Sequence, residues 1–165
     1  MTDTVFRAAR KNEAETVFAL YRSVIGTPFC TWNEFYPGMS EIRHDLESEG
    51  LFVLEKDGRI IGAVSASPEN ELDDMDCWSR RGKVGEFARV VIHPDLQGRR
   101  LARLLVSGIL DVMKERGFEN IHISVAAENI PAQKTYGHFG FIPVGEEEMW
   151  GHLFYLYELN IIHSP

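Results

Sequence analysis

Between Val90 and Leu105 the chain reads VVIHPDLQGRRLARLL, a β-branched run that breaks at His93-Pro94, crosses a polar loop and opens into an amphipathic helix. The first amides of a helix have no intrahelical acceptor and carry the positive end of its macrodipole. This order of strand, loop and helix N-terminus can therefore offer a diphosphate several N–H donors at once. Gln97, Gly98, Arg99, Arg100, Leu101, Ala102 and Arg103 form that candidate anion site, and its three arginines add positive charge. Further along, Asn129 and Tyr136 stand two helical turns apart, which sets the tyrosine roughly above the asparagine. Asn129 suits a helix N-cap, with Pro131 tolerated in the first turn. A phenol of pKa about 10 is a suitable proton donor to a leaving group of similar basicity.

The elements that must hold these residues are legible from periodicity. Residues 5–8 alternate as a strand, and Asn12 with Glu15 resembles a capping box for a helix carrying Val17, Leu20, Tyr21 and Val24. The aromatic segment 27–38 leads to a short helix capped by Ser40, with Ile42 and Leu46 on one side and Gly50 at its end. Residues 51–55 and 59–67 flank Asp57-Gly58, a hairpin signal that makes the two strands antiparallel. The polar segment 67–83 reads as a long solvated loop. A strand over 85–92 then precedes a helix whose stripe is Leu101, Leu104, Leu105, Ile109, Val112 and Met113, stopped by Gly117. A strand over 121–125, a helix over 130–139 and a final aromatic strand over 149–159 complete the order β-α-α-β-β-β-α-β-α-β. The helical crossover makes the strands on either side of it parallel. The aromatic last strand offers an edge for a homodimer.

Length and composition narrow the function. A chain of 165 residues, 44% hydrophobic, suits one domain over 1–165 with its own core. A net charge of −8 argues against nucleic acid as a partner. Cys30 and Cys77 lie far apart and outside any C-x-x-C pattern, so they read as free thiols. The N-terminus lacks a charged-then-apolar pattern, and no stretch approaches the length of a membrane span. The expected location is cytoplasmic, with no membrane partner. The histidines at 44, 93, 122, 138, 152 and 163 show no ligand spacing, so no metal is expected. Neither G-x-x-x-x-G-K nor G-x-S-x-G occurs, which removes the usual phosphoryl-transfer and serine-hydrolase signatures.

Two motifs read together carry a resemblance. The run from Asn129 through Ala132 to Tyr136, closed by Gly140-Phe141, has the pattern N-x-x-A-x-x-x-Y-x-x-x-G-F, and Gln97-x-x-Arg100-x-Ala102 parallels Q/R-x-x-G-x-G/A. Over residues 84–145 the chain resembles the GNAT superfamily of N-acetyltransferases, with Arg100 standing where that family usually has glycine. The resemblance implies an α/β fold, a central mixed sheet flanked by helices. It also implies acetyl-CoA as donor and a primary amine of a small molecule or peptide as acceptor, attacking directly.

Site roles follow from the same resemblance. The backbone of Val90, Val91 and Ile92 would pair with the pantetheine amides as an added strand does, and Asn129 would hold that arm. The loop from Gln97 to Arg103 would take the diphosphate, and Tyr136 would protonate the leaving thiolate. Glu86 sits at a spacing where some members carry the general base. Other members place the base on the next strand, a position filled here by Ser124, which shifts the role to Glu86 or to an ordered water chain. Trp32, Glu34 and Tyr36 would border the acceptor. Two rivals stand beside this reading: a non-catalytic acyl-CoA sensor, suggested by Arg100 and Ser124, and a nucleic-acid module built on Arg99, Arg100 and Arg103, which the net charge disfavours.

Overall fold

The computed structural model describes residues 3–67, 72, 74–79 and 82–161. Strands β1 (Thr4–Ala8), β2 (Leu51–Lys56), β3 (Arg59–Ser67), β4 (Val84–Ile92), β5 (Asn120–Ala126), β6 (Ile142–Met149) and β7 (His152–Asn160) form one sheet in the order β1-β2-β3-β4-β5-β7-β6. Helices α1 (Ala14–Ser23), α2 (Met39–Glu47), α3 (Leu101–Glu115) and α4 (Ile130–His138) connect them. β4 and β5 run parallel because α3 carries the chain back between them, and the other neighbouring pairs are antiparallel. The expected mixed sheet flanked by helices is therefore present.

The hairpin at Asp57-Gly58 forms as expected, with φ of 55° and 75° at its two central residues, the paired left-handed geometry of a type I′ turn. A second turn of this kind, Trp150-Gly151 with φ of 51° and 80°, joins β6 to β7. The sequence reading contains no counterpart of β6. Its segment carries Pro143 and the run Glu146-Glu147-Glu148, which erase hydrophobic alternation, as suits a strand at the sheet margin. This corrects the expected dimer edge, because β7 lies between β5 and β6 rather than at the margin.

Local capping falls two residues earlier than the sequence reading places it. The Arg10 amide donates to Glu13 Oε1 at 2.7 Å at the entry to α1, in place of the Asn12–Glu15 pair. The Gly38 amide donates to Glu41 Oε1 at 2.9 Å ahead of α2, in place of a Ser40 cap. Helix α3 buries Leu105, Val106, Ile109 and Met113. Leu104 is left outward, because at 100° per residue it falls to one side of that stripe while Val106 falls within it. One core joins α3 to Phe52, Leu54, Ile61, Phe87, Ile121 and Ile123 of the sheet. A second joins Val17, Leu20 and Tyr21 of α1 and Ile42 of α2 to Val53, Ala63 and Val91.

Of the expected solvated loop over 67–83, residues 68–71, 73, 80 and 81 lie outside the described residues, as does His163. The described part is not solvated throughout. Trp78 is buried, stacks on His122 with ring centroids 3.8 Å apart, and donates from Nε1 to the Leu72 carbonyl at 2.7 Å. Among the described residues no helix is long and apolar enough to cross a membrane. Cys30 and Cys77 are not joined in a disulfide.

Candidate active site

β4 and β5 pair only from Val84↔Asn120 to Glu86↔His122 and then diverge. The cause lies in β4 itself. Between the pairs Ala63↔Val91 and Ser65↔Ala88, β4 advances three residues while β3 advances two, and Arg89 takes a φ of 55°. Past Glu86 the β4 edge facing β5 thus has no strand partner among the described residues, and its peptide groups are left to find hydrogen bonds elsewhere. The gap widens into a cavity of about 660 Å³. Val90, Val91 and Ile92 line it, as do Gln97, Gly98, Arg100, Leu101, Ala102 and Arg103. Arg99, expected in the same group, is exposed and does not line it.

The loop ahead of α3 is held by its own backbone geometry. The Gln97 side-chain amide donates to the Ile92 carbonyl at 3.2 Å, which ties the loop to the end of β4. Gly98 has φ of 81° and Arg100, the N-cap of α3, has φ of 62°. The left-handed conformation at Arg100 accounts for the glycine expected there, since a Cβ in that region costs roughly 1–2 kcal/mol. The Arg103 amide closes the first turn of α3 by donating to the Arg100 carbonyl at 3.2 Å, and the first amides of a helix have no intrahelical acceptor.

Helix α4 supplies the opposite wall through Asn129 and Tyr136, both lining the cavity. Asn129 Oδ1 accepts from the Ala132 amide at 3.2 Å, so the capping role read from sequence is realised. Tyr136 is 7% exposed, and its ring packs edge-on against Phe87 and Phe141 at 6.0 and 5.8 Å. Burial raises its phenol pKa above the ordinary value, so the hydroxyl stays protonated at neutral pH.

Glu86 does not line the cavity. It is 6% exposed and accepts from the Leu72 amide at 3.2 Å. It lies opposite His122, and Ser124, two residues along β5 on the same sheet face, does line the cavity. His122 Nε2 is 3.4 Å from Glu158 Oε1. Burial pushes the Glu158 pKa up, but hydrogen bonds from Ser79 and the nearby His122 outweigh it, and the net shift is downward.

The segment between α1 and α2 forms a further wall. Trp32 lines the cavity and packs edge-on against Tyr21 at 5.4 Å. Glu34 and Tyr36 do not line it. The Glu34 side chain is exposed while its carbonyl accepts from Arg22 at 2.7 Å, and the Tyr36 hydroxyl accepts from Arg89 Nη1 at 3.1 Å. Sequence reasoning missed the partners of that arginine. Arg89 Nη2 donates to Asp45 Oδ2 at 2.7 Å, and the Ser65 hydroxyl donates to the same oxygen at 2.7 Å. The available signal was an aspartate on the face of α2 that also carries Ile42.

A profile described as the Acetyltransferase (GNAT) family matches residues 14–141, and the chain belongs to that family. Among curated relatives, a mycothiol acetyltransferase of Beutenbergia cavernae is 37% identical over 101 residues, which is 61% of this chain but 31% of that protein. The chain therefore spans less than a third of that relative's length. The ribosomal-protein-S18-alanine N-acetyltransferase of Escherichia coli superposes with a TM-score of 0.76 at 15% identity, covering 99% of this chain and 97% of that one. A Salmonella typhimurium protein solved with its cofactor acetyl-CoA does so with a TM-score of 0.76 at 17% identity, covering 99% and 96%. At these identities the structural likeness is one of fold.

Proposed function

We propose that this chain is an acetyl-CoA-dependent N-acetyltransferase that moves the acetyl group to a primary amine of a small molecule or peptide by direct attack. The divergence of β4 and β5 after Glu86 carries the reading, because it opens a cavity between a helix N-terminus and Tyr136. In this scheme the backbone of Val90, Val91 and Ile92 pairs with the amides of a pantetheine arm, and Gly98 through Arg103 hold the diphosphate. An alkylammonium has a pKa of about 10 and must lose a proton before attack. Glu86, set back from the cavity, takes that proton through water along the face it shares with Ser124. The amine nitrogen bonds to the thioester carbon and the C–S bond breaks; Tyr136 gives its proton to the departing sulfur and regains one from the nitrogen, which loses its second proton to become the amide. Trp32 borders the acceptor entrance. A relative named for mycothiol and a fold neighbour named for a ribosomal-protein alanine support an acceptor that is a small molecule or a protein. Two cysteines far apart in sequence and outside any C-x-x-C pattern fit a reducing, cytoplasmic setting.

The sensor reading draws on Glu86 bonding to the Leu72 amide outside the cavity lining. Calorimetry with acetyl-CoA, paired with a screen of amines for thiol release, tests both. Binding together with release on some amines is expected. Binding without release across a broad panel establishes the sensor instead, and no binding at millimolar acetyl-CoA overturns both.

A further inference from the structure

The bulge that parts β4 from β5 is costly to maintain, because its left-handed residue is an arginine rather than a glycine. The contacts that hold it converge from every side. Arg89, the bulged residue, reaches Asp45 of α2 at 2.7 Å and the Tyr36 hydroxyl at 3.1 Å. Ser65, the β3 residue at the register shift, bonds the same Asp45 oxygen at 2.7 Å. The Arg89 and Asp45 side chains are 13% and 1% exposed, so the pair is screened little by solvent.

We propose that Arg89 and Asp45 are positioning residues: their buried ion pair, with Ser65 and Tyr36, locks the β4 bulge open and couples it to the wall between α1 and α2. A buried pair with directional bonds is a poor source of net stability but a good device for selecting one backbone geometry. Here the geometry selected is the one in which β4 turns away from β5. Because Tyr36 belongs to the segment that carries Trp32 into the cavity, the same lock sets the acceptor wall relative to the β4 edge. The role in acetyl transfer rests on the function proposed above, whereas the role in shaping β4 does not.

The test replaces the pair by apolar side chains of similar size, Arg89→Met with Asp45→Leu, and separately makes Asp45→Asn. Hydrogen exchange of the amides over 88–91 and calorimetric titration with acetyl-CoA are measured on each folded variant. Faster exchange confined to that segment and at least tenfold weaker acetyl-CoA binding are expected, the effect being larger in the double variant. If the double variant does not fold, Asp45→Asn carries the same expectation. Parental exchange in a folded variant overturns the lock, and altered exchange with parental acetyl-CoA affinity overturns its link to the cavity. If the parent itself binds no acetyl-CoA, the proposed function fails while the exchange result still decides the lock.

Discussion

Tyr136 lines the cavity with its ring held among Phe87, Phe141 and Tyr157. Burial disfavours its phenolate, so the group is an acid over the whole neutral range. Tyr136→Phe keeps the ring and deletes the proton, and single-turnover acetyl transfer is expected to fall about 10²-fold while acetyl-CoA affinity and melting temperature hardly move. A destabilised variant that transfers at the parental rate removes the acid role. Glu86 offers a complementary case. Glutamine in its place can still accept from the Leu72 amide, so Glu86→Gln preserves packing while removing the base. Turnover at neutral pH should drop roughly 10²-fold, and the deficit should shrink at alkaline pH, where the amine deprotonates unaided. A flat pH dependence of the ratio between parent and variant would take Glu86 out of the mechanism.

At the scale of elements, the loop joining β4 to α3 works only if its two left-handed positions, Gly98 and Arg100, present the helix start to the cavity. Gly98, at φ of 81°, has open space around an added Cβ, so a side chain there meets no clash but does meet backbone strain. Gly98→Val is therefore expected to shift the loop rather than unfold the protein, costing about 1–2 kcal/mol. Titration should show weaker acetyl-CoA binding than for Lys114→Val, a change on the exposed side of α3, and equal affinities would mean that the loop is not the binding element. This segment was readable from its residues because strand, loop and helix follow one another directly. The lock at Arg89 was not, since Tyr36, Asp45, Ser65 and Arg89 lie on four separate segments and meet only when the sheet and α2 pack together. The same limit applies to Glu86, whose spacing pointed to the site although the covering Leu72 lies in a loop with no periodic signal.

Across the whole molecule, the Arg7–Glu13 pair ties β1 to the entrance of α1 with two bonds of 2.8 and 2.7 Å, and Arg7 also reaches Glu55 of β2 at 3.0 Å. The bond from Arg7 lowers the Glu13 pKa from 4.5 to about 2, against the opposing effect of burial. A depressed carboxylate pKa contributes stability above the unfolded value, and that contribution disappears as pH falls through the folded one. Glu13→Gln should thus cost about 1 kcal/mol near neutral pH, with the gap to the parent closing between pH 4.5 and about 2 in denaturant titrations. A gap independent of pH would assign the loss to packing. Patterns local to a few turns of chain were enough to specify the hairpin at Asp57-Gly58, the helical crossover, the helix N-terminus at Arg100 and the cap at Asn129, because propensity, capping and turn geometry act between near neighbours. They also carried the family resemblance. Tertiary structure alone decided that β6 forms outside β7, that Arg99 does not line the cavity, that Glu86 accepts from the Leu72 amide, and that Asp45 of α2 pairs with Arg89 at the bulge. Each of those outcomes depends on which distant segment covers a side chain, and burial of that kind is a property of the packed chain rather than of any stretch within it.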